Sequence, residues 1–476
     1  MQSRTRFSLV SKVMLFAATA VLGCGGEDSG QPIGPTSPEG GNTETGVPPA
    51  EDAGDLDAMG TSDVGADRAV DGRPDVNGDA GPDVLDASGS SGDATANDGA
   101  GDTRPETGGA GDASGSPDTG SSDAVSRDVN AGDTGGPGDT GFWLKGDLHV
   151  HSKHSTDAMD TTVAEVIAKA ESLGFDYFVL TDHDNHVEGK ISTWSDPDYH
   201  SGKMVLLYGA EWTTGKGHAN IFGTQPYDYA PIWAARDGNG AVSIAIAHTQ
   251  GLHFSVNHPA AKDLWEWGFE LEYDSMEVWT APFVLPNSNS TAIAKWDEIL
   301  LTGRRLAVRG GSDSHHQHDL ESTLFNTGNP TTWVHATAKT GTAVLEGLSA
   351  GHVSVSYAAT AERVDFTGDI DGDGTFETIV GDNVRPQDGK AIRFKIDIAG
   401  YRATSTYNIT VFKNGTSFKT WQLNAASVTF EDMPASGERA YYRVEVRGPT
   451  SDAPIVSSIA FGDFIALTNP IYVAFP

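Results

Sequence analysis

The chain of 476 residues carries 66 acidic against 31 basic side chains, a formal net charge of −35, and one cysteine. So acidic a chain excludes loose binding to nucleic acid or anionic lipid, because such binding needs Lys and Arg to displace counterions. A phosphorylated substrate stays open, since bound cations can supply positive charge locally, and a lone thiol excludes an internal disulfide.

Arg4, Arg6 and Lys12 make a basic start, and Val13 to Leu22 form an apolar run too short to span a bilayer comfortably. Val21-Leu22-Gly23-Cys24 follows. This looks like a bacterial lipoprotein signal over residues 1–24, which implies a lipid on Cys24 and, through it, a membrane partner. Gly25 rather than Asp after the cysteine resembles Gram-negative lipoproteins sent to the outer membrane or cell surface.

Residues 25–140 hold 25 acidic and 4 basic side chains and no aromatic residue. Burial cannot offset chain entropy there, so a disordered, self-repelling tether is expected. Recurrences such as GDAGPDV read as low complexity; a calcium-binding repeat would need a strict nonapeptide spacing that is missing.

Order is expected from Phe142. Thr161 to Gly174 places apolar residues at 163, 166, 167, 170 and 173, a helical stripe that Thr161 or Thr162 can cap and Gly174 can end. Tyr177–Leu180, Val205–Tyr208, Val242–Ala247, Met276–Trp279 and Leu306–Val308 read as short buried strands. Strands alternating with helices suggest an α/β domain over 141–360 with a parallel sheet, in the form of a barrel. From about residue 361 the pattern changes to period two. Ala391–Ile398, Tyr407–Lys413, Phe418–Leu423, Ser427–Phe430 and Tyr441–Val446 alternate apolar with polar, with a hairpin signal at Lys413-Asn414-Gly415. A small all-β sandwich over 361–476 is expected, its last strand reaching Ile471-Tyr472-Val473.

All 15 histidines lie between residues 149 and 352. His149 and His151 follow a strand signal at i and i+2, so both imidazoles face one way and can meet one metal. Asp157 follows on the next loop, His218 starts a further short strand, and Asp182-His183-Asp184, Glu211, Asn257-His258-Pro259 and Asp313-Ser314-His315 come at further strand ends. In parallel α/β barrels such ends gather at one mouth. Imidazole with carboxylate suits zinc, manganese or iron. A lone histidine is commonly a surface or satisfied core residue; an ordered series of His-x-His and Asp-x-His pairs is not.

These motifs resemble the PHP (polymerase and histidinol phosphatase) superfamily of metal-dependent phosphoesterases over roughly residues 143–360. The resemblance implies a distorted seven-stranded (β/α) barrel holding two or three divalent ions. It implies one metal on His149, His151, Glu211 and Asp313, a second on Glu211, His218 and His258, and a third on Asp157, His183 and His315. His154 competes with Asp157, because relatives carry Ser-Asp-Gly where this chain has Ser155-Thr156-Asp157-Ala158. His248 and His253 compete with His258. The opening Phe142–His149 and the closing Thr468–Val473 look like a branch with secreted proteins and carbaryl-type carbamate hydrolases.

The implied reaction is attack on a small-molecule phosphate ester by a metal-activated water, with no Ser or Cys nucleophile. Glu211 and Asp182 are the expected catalytic carboxylates, Asp182 and Asp184 orienting ligands. His186 or His316 could assist the leaving group. Arg304, Arg305 and Arg309 read as surface charge or a phosphate contact. Asp369, Asp371 and Asp373 start a D-x-D-x-DG calcium pattern whose twelfth position is Val380 rather than Glu. The rival readings are a carbamate or carboxylic ester hydrolase on the same cluster, and a non-catalytic surface lipoprotein.

Overall fold

The computed structural model describes residues 141–260, 264–280, 288–317, 326–386, 389–449 and 463–476. The lipid anchor expected on Cys24 and the tether expected over 25–140 lie outside them.

Strand β1 (Phe142–Asp147) leads to helix α1 (Val163–Ser172). Thr162 caps that helix: its hydroxyl accepts from the Glu165 amide at 3.3 Å while the Glu165 carboxylate accepts from the Thr162 amide at 3.0 Å. The expected stripe is the buried face, with Val163, Val166, Ile167 and Ala170 packed inward. Strands β2 (Tyr177–Phe178) and β3 (Val205–Leu206) continue parallel to β1.

The segment Val242–Ala247 is not a strand. It lies in helix α3 (Gly240–Thr249), after a short α2 (Ala230–Ala235). Asn239 caps α3 by accepting from the Ala241 amide at 2.9 Å, and Ser243, Ile244 and Ala247 form its buried face. A short apolar run has no period that separates a strand from a buried helix, and the asparagine cap decides it.

Among the described residues no single sheet closes into the expected distorted seven-stranded barrel. Strands β4 (Tyr208–Thr214), β5 (Gly217–Gly223), β6 (His253–Val256), β7 (Ser275–Thr280) and β8 (Ala307–Gly311) make one sheet, in that order. Its first three strands are antiparallel and the rest parallel. The β4–β5 hairpin breaks the strand–helix alternation, because a tight antiparallel turn leaves no room for a crossover helix. The described residues hold five α-helices, the last two being α4 (Ser288–Thr302) and α5 (Gly341–Ala350). Strands β1 to β3 belong to a second sheet with β9 (Thr331–Ala336) and β10 (Val353–Ser356). The two sheets meet through isolated parallel bridges, Val150 with Ser314 and His183 with Glu211. These bridges sit at the strand ends where the histidines cluster.

The C-terminal strands extend that second sheet. Strand β10 pairs with β19 (Phe464–Thr468), which pairs with β18 (Ala440–Arg447). Strand β18 also pairs with β15 (Tyr407–Lys413) and β20 (Ile471–Val473). Strand β16 (Thr416–Leu423) adds to β15, and β13 (Asn383–Val384) adds to β20. A four-stranded sheet of β12 (Thr378–Ile379), β11 (Arg363–Asp369), β14 (Ile392–Ala399) and β17 (Ser427–Asp432) packs against it, with the Phe394 and Tyr442 rings 4.7 Å apart. At the β15–β16 turn Asn414 and Gly415 both take positive φ, 52° and 73°, as a two-residue hairpin requires.

Asn469 ties this region to β8. Its amide accepts from the Val308 backbone N–H at 2.8 Å and donates to the Val308 carbonyl at 2.8 Å, while its own N–H donates to the Val353 carbonyl at 3.0 Å. One residue thus bridges β8 and β10. In the acidic turn, Asp369 accepts from the amides of Gly372 and Gly374 (2.7 and 3.0 Å), Asp371 from that of Asp373 (3.0 Å), and Asp373 from that of Thr375 (2.7 Å). These are the bonds of an Asx-rich turn.

Candidate metal centre

The nine expected ligands come from separated stretches and meet in one place. Glu211, on β4 and fully buried, is the hub. Its carboxylate lies 3.4 Å from His149, 3.4 Å from His151, 2.9 Å from His183, 3.2 Å from His218 and 3.5 Å from His258. Asp313 lies 3.1 Å from both His149 and His151. Asp157 lies 3.3 Å from His183 and 3.5 Å from His315. The donor atoms fall into groups lying within 4.8 Å of one another, among them His149/His151/Glu211, His149/His258/Asp313, His183/Glu211/His218 and His151/His183/His315.

Local backbone positions these groups. Residues 149 and 151 follow β1 after a bend at Leu148, and both imidazoles reach the same Asp313 oxygen at 3.1 Å. Gly311, at the end of β8, lets the two strand ends approach: a Cβ there would stand 2.5 Å from the His149 Cβ. His258 and Asp313 both take positive φ, 24° and 51°. Non-glycine residues in that region cost energy and concentrate where a site over-determines them.

The donor set fits divalent cations. His149 Nε2, His183 Nε2, Glu211 Oε2, Asp157 Oδ1 and His258 Nδ1 are buried atoms without a hydrogen-bond partner. Buried polar groups are ordinarily satisfied, so these lone pairs lack a shared positive centre. The opposite ring nitrogens are fixed. His149 Nδ1 donates to Glu277 at 2.9 Å, and His315 Nδ1 to the Asp313 carbonyl at 2.9 Å. Ser155 gives its own proton to Asp182 (3.0 Å) and accepts from His151 Nδ1 (3.3 Å). Thr213 gives its proton to the Glu211 carbonyl (3.2 Å) and accepts from His183 Nδ1 (2.7 Å). Four imidazoles therefore turn Nε2 into the cluster as a lone pair, the tautomer that a metal ligand needs.

Electrostatics follow the same arrangement. Burial alone would depress His149, but Asp313, Glu277 and Glu211 outweigh it and hold it well above its ordinary value. Burial opposes ionisation of Glu211, yet His183, His149 and His218 keep it well below the usual carboxylate range. Asp313 is held well down in the same way, by His149 and His151 against burial. Burial, with His315 and His183 beside it, pushes His151 down to about 3. Burial lifts Asp184 to about 7 although the Thr213 amide and the Tyr229 hydroxyl both donate to it at 2.9 Å.

The rivals lie elsewhere. His154 bonds to Asp196 (2.9 Å) and Ser192 (2.7 Å), His248 to Asp274 (3.0 Å), and His253 to Ser349 and Ser275 (2.9 and 2.8 Å). Asp182 sits one layer behind the ligands. Its oxygens accept from the Ser152 amide (2.6 Å) and the hydroxyls of Ser152 (2.8 Å), Ser155 (3.0 Å) and Thr193 (2.5 Å), which makes it a positioning residue. His186 stands at the rim, 3.8 Å from Asp157, and His316 lies farther out on Asp160 at 2.9 Å.

Arg309 is no surface charge. It is wholly buried and donates to Glu277, Asn257 and Ser255 at 3.1, 2.5 and 2.7 Å. Arg304 holds the carbonyls of Phe269 and Tyr273, at 2.9 and 2.7 Å. Sequence reasoning missed Glu277 and Asn257 as functional neighbours. Their signal was available: Glu277 is the one charge in the apolar run Met276–Trp279.

No family model and no curated protein matches the chain. Among solved structures, a two-domain protein from Bacteroides vulgatus containing a predicted PHP-like metal-dependent phosphoesterase is 15% identical, covering 70% of this chain and 96% of that one at a TM-score of 0.37. A CARDB domain from Pyrococcus furiosus in complex with di-metal ions is 13% identical, covering 24% of this chain and 94% of that one at a TM-score of 0.16. Likenesses of this size define neither family nor activity. The buried His/Glu cluster itself fits a metal-dependent hydrolase.

Proposed function

We propose that the protein is a metal-dependent phosphoesterase acting on a small-molecule phosphate ester. The observation that carries this reading is the convergence of five imidazoles on the buried carboxylate of Glu211. His149, His151, Glu211 and Asp313 would hold one ion, Glu211, His218 and His258 a second, and Asp157, His183 and His315 a third. Divalent zinc, manganese or iron bound there supplies a water that ionises near neutral pH and positive charge against developing phosphoryl oxygens.

The chain's own residues do the rest. Glu277, Ser155 and Thr213 hold the imidazole tautomers, and burial keeps bulk water from competing for the carboxylates. His186 accepts from the Thr156 amide on Nδ1 at 3.2 Å, so its neutral ring carries the proton on Nε2. From the rim that N–H can donate a hydrogen bond to a leaving-group oxygen. A lipid on Cys24 and an acidic tether would place this activity at an outer membrane surface.

The test is metal analysis of the purified chain, followed by p-nitrophenyl phosphate, bis-p-nitrophenyl phosphate and naphthyl carbamate assayed side by side. Phosphate ester hydrolysis that chelation abolishes and added zinc, manganese or iron restores is the expected result. A chain that binds no transition metal removes the reading, and preference for the carbamate replaces its substrate.

A further inference from the structure

We propose that Arg309 is the positioning residue for one half of the cluster. Through Glu277 and Asn257 it sets His149 and Glu211, and it leaves the Asp157, His183 and His315 half untouched. This rests on the metal-dependent reading above.

A guanidinium is a planar fork of donors with no acceptor. Here the arms end on two neighbouring strands. Nε donates to Ser255 on β6 at 2.7 Å, Nη2 to Asn257 just beyond β6 at 2.5 Å, and Nη1 to Glu277 on β7 at 3.1 Å. All of these residues are completely buried. The same Glu277 oxygen that takes Nη1 also takes the Nδ1 proton of His149, at 2.9 Å. The cation therefore holds the carboxylate that fixes the His149 tautomer.

The second arm settles an amide. Because Arg309 only donates, it must face the Asn257 oxygen, which turns the Asn257 nitrogen toward Glu211 Oε1 (2.8 Å) and Asn220 Oδ1 (2.9 Å). One buried cation so orients two ligands. The other half is held independently: the His183 amide rests on Ser155, the His183 ring on Thr213, and His315 on the Asp313 carbonyl. None of those bonds involves Arg309, Glu277 or Asn257.

A purely structural role, neutralising buried Glu277, would be met by any cation of similar length. The positioning role needs the fork, so Arg309→Lys separates the two. The parent, Arg309→Lys, Glu277→Gln and Asn257→Ala are titrated with zinc against a chromophoric chelator, and Co²⁺ spectra are recorded, with circular dichroism confirming the fold. In every folded variant, one class of zinc site is expected to weaken by about 10–100-fold while the other keeps the parent's affinity. The Co²⁺ bands of the weakened class should shift. Glu277→Gln and Asn257→Ala carry the test alone if Arg309→Lys does not fold. Folded variants that bind zinc as the parent does, or that lose all sites equally, overturn the inference while the parent's own zinc uptake sustains the functional reading. A parent that takes up no zinc overturns both.

Discussion

The backbones of His183 and Glu211 form an isolated parallel bridge, and their side chains meet at 2.9 Å at the margin between two sheets. The join between the sheets and the centre of the cluster are thus the same residues. Glu211 is isosterically replaced by Gln, so Glu211→Gln tests charge with little change of volume. It should remove at least one equivalent of bound metal and lower kcat/KM about 10²–10³-fold, a loss of the size seen when one electrostatic group of an active site is deleted. Metal content and steady-state kinetics on p-nitrophenyl phosphate check it, and wild-type metal content in Glu211→Gln would argue that the carboxylate is not a ligand.

The choice between Asp157 and His154 gives a second test. Asp157 faces His183 and His315, whereas His154 is engaged by Ser192 and Asp196. Asp157→Ala should therefore lose metal from the half it shares with His183 and His315, and activity with it. His154→Ala should keep the parent's metal content. Elemental analysis of the two variants beside the parent decides this, and the reverse pattern would hand the site to His154.

The candidate cluster was legible in the sequence because most of its residues stand at the end or the start of a short apolar strand signal, and His-x-His or Asp-x-His spacing survives without knowledge of the sheet. The helix at Thr162 was legible because its cap and its stripe agree. The second layer was not. Arg309 looks like a surface charge until β6, β7 and β8 stand side by side, since its three partners are 32 to 54 residues away in sequence. How the strands join was not legible for a related reason. Apart from Val242–Ala247, which is helical, the strand signals before residue 310 were correct in kind, but the β4–β5 hairpin and the bridges at His183 and Val150 depend on tertiary approach that no local pattern encodes.

The pH dependence of the metal-free protein follows from the pKa directions. His149 and His183 are raised by neighbouring carboxylates against the pull of burial, so the stability they contribute is complete below about pH 6.5, their unfolded value, and is lost as pH rises through the folded values. Glu211 and Asp313 are depressed, so their contribution is present above about pH 4 and lost on acidification. The chelated protein should melt highest between about pH 4.5 and 6.5. Metal binding needs neutral imidazoles, so zinc should raise the melting temperature most at pH 7–8. Melts from pH 4 to 8 with and without chelator measure both slopes, and parallel curves would contradict the assignment of these groups to the metal.

Asn469 joins the C-terminal strands to the strand that carries Arg309. Its side chain satisfies the N–H and the carbonyl of Val308, both inside the protein, at 2.8 Å each. Asn469→Ala leaves two buried backbone groups unpaired, each costing about 1–3 kcal/mol, so a loss of roughly 2–6 kcal/mol is expected. Because Val308 precedes Arg309, the same change should loosen the fork on Glu277 and Asn257 and weaken metal binding in folded molecules. Urea unfolding gives the first quantity and zinc competition at low denaturant the second. A stability loss with unchanged zinc affinity would mean that the seam is structural and mechanically separate from the cluster, and the C-terminal strands would then owe their place to packing alone.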